Sequence, residues 1–406
     1  MNIIFLTLAN INSIDDRGIY TDLLRTFVHK GHHVSIVTPK ERRNGIETFL
    51  EKGENYNILH VKTLNIVSTN IIEKGIGTLA IEYQYMWAIR KHLSGIKYDL
   101  ILYSTPPITF TRVIKAIKRR DHAKTYLLLK DIFPQNAVDL GMFKREGILH
   151  RFFRRKEKQL YAVSDYIGCM SPANVAYVLK HNPQIRTDKV EVCPNSIEPD
   201  ESIKEKEDTF EVRKKYNIPQ NAVIFIFGGN MGKPQGLSFL TEVLEANNNK
   251  ADRYFIVIGT GTERQKVADW FATHEHTNSV LLDGLPKREY DQLVKACDVG
   301  LIFLDQRFTI PNYPSRLLSY LEYKMPVIVA SDNNSDMGKI AEENKYGFFA
   351  VHGDTEMFND QLDKLTKNRN LIKEMGENGY AFMMKNYTVE RSYDIIMKKY
   401  NTAPSP

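Results

Sequence analysis

Three short segments carry residue types that could hold a phosphate group. The first runs from Ile226 to Gly236 and reads IFGGNMGKPQG. Glycines at 228, 229, 232 and 236 let backbone approach a ligand closely, and the helix expected to follow presents free N–H groups and a positive dipole end to an anion. Lys233 adds a cation. The alternative is a tight strand–helix turn with an incidental lysine. The second is Gly259-Thr260-Gly261 with Arg264 just beyond. A dinucleotide fingerprint would want a third glycine where Arg264 stands, which weakens an oxidoreductase reading, whereas a backbone nest with a guanidinium suits a diphosphate. A plain turn with a surface arginine would look the same. The third is NYPSRLL, residues 312–318. It should open a helix, with Pro314 in the first turn and with Ser315 and Arg316 positioned to meet an anion. Its alternative is a capped helix with an exposed arginine.

The first half offers a different chemistry. STPP (104–107) and KDIFPQ (130–135) each end an apolar run. Asp131 could orient or deprotonate a hydroxyl, or it could simply cap a turn. From Lys144 to Leu160 the chain reads KREGILHRFFRRKEKQL, with seven basic and two acidic residues and with apolar side chains at helical spacing. Such a helix can lie on an anionic bilayer, or pack its apolar face on a sheet and leave its basic face in water. Arg112, Lys115, Lys118, Arg119 and Arg120 form a second basic strip. No basic platform interleaved with aromatics points to nucleic acid.

These turns need a frame, and the pattern supplies one. Strands are expected at 2–8, 33–38, 100–103, 125–129, 166–170 and 189–193, with helices at 20–30 and 109–118. A polar run, DESIKEKED (200–208), reads as a linker. Beyond it strands are expected at 222–227, 253–258, 279–282, 299–303 and 327–330, and helices at 237–244, 288–296 and 314–323. Strands alternating with helices imply parallel sheets covered on both faces, hence an α/β protein of two Rossmann-like domains, with ligands at the carboxyl ends of the strands and the inter-domain cleft as the default site. The divisions read from the sequence are 1–200, 201–385, and 386–406 as a C-terminal helix crossing back to the first domain.

Bulk properties fit this frame. A chain of 406 residues is too long for one ordinary core. Its +6 charge is mild and does not choose among anionic partners. Cys169, Cys193 and Cys297 make no metal-ligand pattern, and their sparse count fits a reducing cytoplasm. The start, MNIIFLTLAN, reads as a buried strand, and no run approaches the roughly 20 apolar residues a spanning helix needs.

The residues resemble a known family across nearly the whole chain: the retaining GT-B glycosyltransferases of family four, in the subgroup that builds bacterial capsule and O-antigen sugars. LLLKDIFPQNAVDLGM is similar to that subgroup's "RDLWPES…LGM" segment, VCPNSIE to its "PNGVD" turn, and FGGNMGKPQGL, IGTGTERQKV and PSRLLSYLEYKMPVI follow the family's second domain in order and spacing. The resemblance implies a UDP-sugar donor, with an N-acetylated amino or deoxyamino sugar transferred with retention to a lipid-linked saccharide, and no cofactor or obligatory metal. It implies a cytoplasmic enzyme, peripheral on the inner membrane face. Carried over, Asn230, Gly232 and Lys233 fall in the diphosphate loop, and Arg264 in the second donor loop. Pro314, Ser315, Arg316 and Leu317 fall where a helix start meets the diphosphate. Gly18 falls in a loop facing donor and acceptor, and Thr105, Asp131 and Gln135 fall on the acceptor side, with Asp131, Lys233 and Arg316 the catalytic candidates. The family's usual pair of glutamates is replaced by Pro311 and Ser319, so Ser319 is left to do part of the ribose-binding glutamate's work, and Glu322 comes one turn later. A GT-B epimerase acting on UDP-sugars and a catalytically weak partner subunit are the alternatives.

Overall fold

The computed structural model of the protein describes residues 1–66, 71–200 and 210–402. The expected linker lies, apart from Asp200, outside the described residues. The chain forms two compact units, the first comprising 1–198 with 388–406 and the second 199–387.

The first unit is built on eight strands: β1 (Asn2–Leu6), β2 (His33–Glu41), β3 (Phe49–Gly53), β4 (Tyr56–Thr63), β5 (Leu100–Ser104), β6 (Lys124–Leu129), β7 (Tyr166–Cys169) and β8 (Val190–Val192). They pair in the order β3-β4-β2-β1-β5-β6-β7-β8. All pairings are parallel except the edge hairpin β3–β4. The inner strands are unbroken apolar runs such as IIFL and LILY because helices cover both faces. The core gathers Phe5, Phe27, Leu102 and Leu128 with Val389 and Ile396 of the helix Val389–Asn401. That last helix packs beside the helix Thr21–His29, where Tyr393 stacks on His32 and meets the edge of Phe27.

The second unit has six parallel strands: β9 (Val223–Asn230), β10 (Arg253–Thr260), β11 (Ser279–Leu282), β12 (Val299–Phe303), β13 (Val327–Ser331) and β14 (Gly347–Val351). Their order is β11-β10-β9-β12-β13-β14. Phe225, Phe227, Phe239, Phe303 and Phe358 fill the centre of its core.

Both sheets place their parallel strand ends, and therefore their functional turns, on one edge. The structure adds the β3–β4 hairpin, β14 and the helix Ile71–His92, none of which the sequence pattern singles out. It also starts the expected 314–323 helix at Arg316, so Pro314 stands before the first turn and not within it.

Candidate functional site

In the second unit the two glycine turns are locked together. β9 and β10 pair in register to their last residues, Gly259 against Gly229 and Thr260 against Asn230. The Met231 N–H donates to the Thr260 carbonyl at 2.8 Å, and the Glu263 N–H donates to the Met231 carbonyl at 2.8 Å. Gly259 and Gly261 sit at φ +145° and +155°, and a Cβ on them would fall 1.8 Å from the Gly229 oxygen and 2.4 Å from the Met231 oxygen. Only glycine fits either place.

Arg316 reaches this double turn. Its guanidinium lies 4.6 Å from the centroid of the Phe227 ring, and Nη2 donates to the Asn230 carbonyl at 3.2 Å. Nη1 is buried and has no acceptor among the described residues. Burial lowers the guanidinium's pKa, with the neighbouring Tyr320 and Tyr290 opposing. A buried cation with a vacant donor is costly unless an anion meets it. Arg264 opens the helix Arg264–Thr273 and pairs through Nη2 with Asp283, while its buried Nε also lacks an acceptor among the described residues. Lys233 is exposed, and no described residue pairs with its ammonium.

Other amides in the same turns are already occupied. The Gly232 N–H donates to the Gln235 side chain at 3.0 Å, so this expected donor-loop amide is not free. Lys233–Gln235 is a single 3-10 turn, and the helix Leu237–Ala246 begins only after Gly236 in the left-handed region. At the third segment, the Leu317 and Leu318 N–H groups bond back to Pro314 and Ser315, at 3.4 and 3.0 Å. Ser315 is exposed, Leu317 is buried, and Ser319 is half-buried one turn beyond Arg316. Glu322 is buried, and its carboxylate accepts the Asp200 N–H at 2.9 Å.

In the first unit a polar cluster sits at the ends of β1, β5 and β6. The Thr7 and Ser104 hydroxyls are 3.1 Å apart, and Tyr85 donates to the Thr7 carbonyl at 2.7 Å. Asp131 follows β6. Burial pushes its carboxyl up to about 6, against hydrogen bonds from Asn136 Nδ2 at 2.8 Å and the Ile132 backbone. A carboxylate so poised can accept a proton near neutral pH. It also raises the pKa of the Tyr20 phenol, which burial lifts first.

Three expected contact residues make hydrogen bonds within their own unit. Thr105 is 1% exposed, and its hydroxyl accepts from the Lys130 and Asp131 N–H groups and donates to the Asp131 carbonyl, at 3.0, 3.2 and 3.1 Å. It fixes the Asp131 turn from behind and has no surface for an acceptor. The Gly18 N–H donates at 2.9 Å to buried Asp22, which also holds Arg25 and the Glu198 N–H. Gln135 bonds Asp139 across one helical turn at 2.7 Å.

Comparison with known proteins follows this division. The family model for glycosyl transferases group 1 matches residues 208–382, and that for glycosyltransferase family 4 matches residues 20–201. Between them the two models match most of the chain, which is a glycosyltransferase. It is 22% identical over 275 residues to the "Probable glycosyltransferase WbjE" of Pseudomonas aeruginosa, spanning 67% of each chain. Sucrose-phosphate synthase of Thermosynechococcus elongatus superposes with a TM-score of 0.75 at 13% identity, over 98% of both chains. HepE of Anabaena, solved with UDP and glucose, superposes at 0.69 with 14% identity, also over 98% of both. The fold is therefore GT-B, with two Rossmann-like domains.

In this glycosyltransferase Asn230, Gly232, Arg264 and Arg316 come together around the β9 and β10 ends, while Thr105 and Asp131 share one turn of the first unit. Sequence reasoning missed Tyr20, Asp283 and Lys40. The Lys40 ammonium is buried and is held by the Asn10 and Asn12 side chains, which pins the loop after β1. Each of these contacts joins residues far apart in the chain, and no local motif signals them. Among the described residues no group of three or more histidine, cysteine or acidic side chains is arranged to hold a metal.

Proposed function

We propose that this glycosyltransferase moves a sugar, of the N-acetylated amino or deoxyamino hexose type, from a UDP-sugar to a lipid-linked saccharide. It does so with retention of configuration, in cell-surface polysaccharide synthesis at the cytoplasmic face of the membrane. The observation that carries the donor half is Arg316: a buried guanidinium beside two interlocked glycine turns, with Nη1 lacking an acceptor among the described residues. A diphosphate supplies what Arg316 Nη1 and Arg264 Nε lack. HepE, on the same fold, carries UDP in its solved complex.

In this reading the bond from the anomeric carbon to the β-phosphate oxygen breaks, and the acceptor oxygen bonds that carbon from the same face. The departing negative charge is met by Arg316, Arg264 and Lys233, without a metal ion, and such stabilisation is commonly the largest catalytic contribution. The acceptor proton passes to Asp131 or to the leaving phosphate. In this reading Ser319 does part of a ribose-binding carboxylate's work. The basic segment from Lys144 to Leu160 supports a lipid-linked acceptor. Its helix, Ile148–Val163, buries Leu160 but leaves Ile148, Leu149 and Phe152 exposed.

The test is calorimetry with UDP together with release of UDP from a panel of UDP-sugars. Binding that weakens in Arg316→Ala and Lys233→Ala supports the donor site. UDP released from none of the donors, or conversion to a new sugar nucleotide without acceptor, would overturn the transferase reading.

A further inference from the structure

We propose that the outward face of helices Ile71–His92, Thr111–Asp121 and Ile148–Val163 docks on an anionic lipid leaflet, with Tyr83 and Trp87 as its interfacial anchors. The proposal rests on the lipid-linked acceptor argued above for its purpose, but not for its physical basis.

Helix Thr111–Asp121 packs between the other two. Along Ile71–His92 the side chains of Ile76, Leu79, Tyr83 and Trp87 recur at intervals of three and four residues, which puts them on one face. All four are exposed, Trp87 to 58%, and Ile148 on the neighbouring helix is exposed to 89%. A contiguous apolar face of this kind marks an interaction surface.

The charges on the same helices select the partner. Four acidic residues occur on the three helices, and none offers a free carboxylate to solvent. Glu82 is buried under the Arg112 backbone N–H, Asp121 is clamped by Arg120, Glu157 by Arg154 and Tyr161, and Glu73 by Arg42 and Asn65. Arg90, Lys91, Arg112, Lys115, Arg119 and Arg155 are exposed. Each exposed aromatic is accompanied by a cation: Lys91 lies 4.9 Å from the Trp87 centroid, Arg112 5.3 Å from Tyr83, and Lys156 5.9 Å from Phe152.

Aliphatic tips, amphipathic rings and exposed cations match the three layers of an anionic leaflet: acyl boundary, headgroup and phosphate. A soluble polyanion would use the cations and leave Ile76, Leu79 and Ile148 wet. No described helix is long and apolar enough to cross a membrane, so the contact runs along the surface.

The experiment uses the full chain with vesicles of phosphatidylcholine, with or without phosphatidylglycerol, and neither nucleotide nor acceptor, so that it stands or falls apart from the transfer reaction. The chain has two tryptophans. In Trp270→Phe the remaining Trp87 should shift to shorter wavelength, and be quenched by brominated lipid, only on anionic vesicles. In Trp87→Phe the remaining Trp270 should not respond. Tyr83→Ser with Trp87→Ser should lose co-flotation, and Lys91→Gln and Lys115→Gln should each weaken it roughly fivefold, with thermal unfolding and UDP affinity unchanged. Equal binding to neutral vesicles, an unresponsive Trp87, undiminished flotation of the serine variant, or heparin binding without vesicle binding overturns the proposal. Vesicle binding with no UDP affinity would instead sink the donor-site reading and leave this one standing.

Discussion

The strand ends of the two units are built on opposite principles. In the second unit the polar groups are cationic and incompletely satisfied: Arg316 and Arg264 each keep a buried nitrogen without an acceptor, and Lys233 stands unpaired among the described residues. In the first unit those beyond β1, β5 and β6 are largely satisfied by one another, although Asn195 Oδ1 after β8 has no partner among the described residues. Thr105 and Gly18 are consumed by the turns they belong to, Thr7 and Ser104 by each other, and the groups left with adjustable protonation are the Asp131 carboxyl and the neighbouring Lys130 ammonium, which burial lowers to about 8. A region with vacant donors waits for an anion. A region whose hydrogen bonds are already spent holds one carboxyl in a fixed place and a tuned state. On the proposed reading, one unit is thus prepared for charge and the other for a proton.

The sharpest way to break this contrast is at Asp131. If it takes the acceptor proton, Asp131→Asn should lower kcat by about 10²-fold or more, with UDP affinity unchanged in calorimetry. Intact turnover would send the proton to the leaving phosphate instead. Arg316→Ala should cost about 10²-fold in kcat and weaken UDP binding, and Arg316→Lys should restore little, because the vacant Nη1 geometry is lost. The pH profile sharpens the same point. Ionised Asp131 is the working form, so activity should fall as pH drops through about 6, and Asp131→Asn should lack that limb. Stability should run the other way. A folded carboxyl raised above its unfolded value makes folding more favourable at low pH and less so as pH rises from about 4 to about 6, so Asp131→Asn should raise Tm at pH 7. Thr105→Val should cost about 1–3 kcal/mol in urea unfolding by stranding the Lys130 and Asp131 amides, while UDP affinity stays unchanged. Lys233→Ala should have the smallest effect, about tenfold or less in UDP affinity, because its ammonium is exposed.

The fold was legible wherever burial writes continuous apolar runs. The expected strands at 279–282 and 299–303 match β11 and β12 end to end, and most others differ by one or two residues. The β3–β4 hairpin was not legible because β4 buries Asn57 and His60 inside the sheet, which breaks the apolar signal, and β3 is a half-exposed edge. At the site, the glycines and arginines announce themselves by type and spacing. That Thr105 braces the turn and does not face an acceptor was hidden, because its partners lie 25 and 26 residues away on the next strand's end. The helix expected from Pro314 begins two residues later, at Arg316, with Ser315 as its N-cap.

The helix Val389–Asn401 completes the first core, supplying Val389 and Ile396, yet it follows the whole second unit in the chain. During synthesis the second unit can therefore close while the first still lacks a wall. The order in which the ribosome delivers the domains is the reverse of the order in which they can finish. A nascent first unit must wait with the flank of Phe27 open, and a truncation near 388 would strand that unit, not the donor-side one, in its unfinished form.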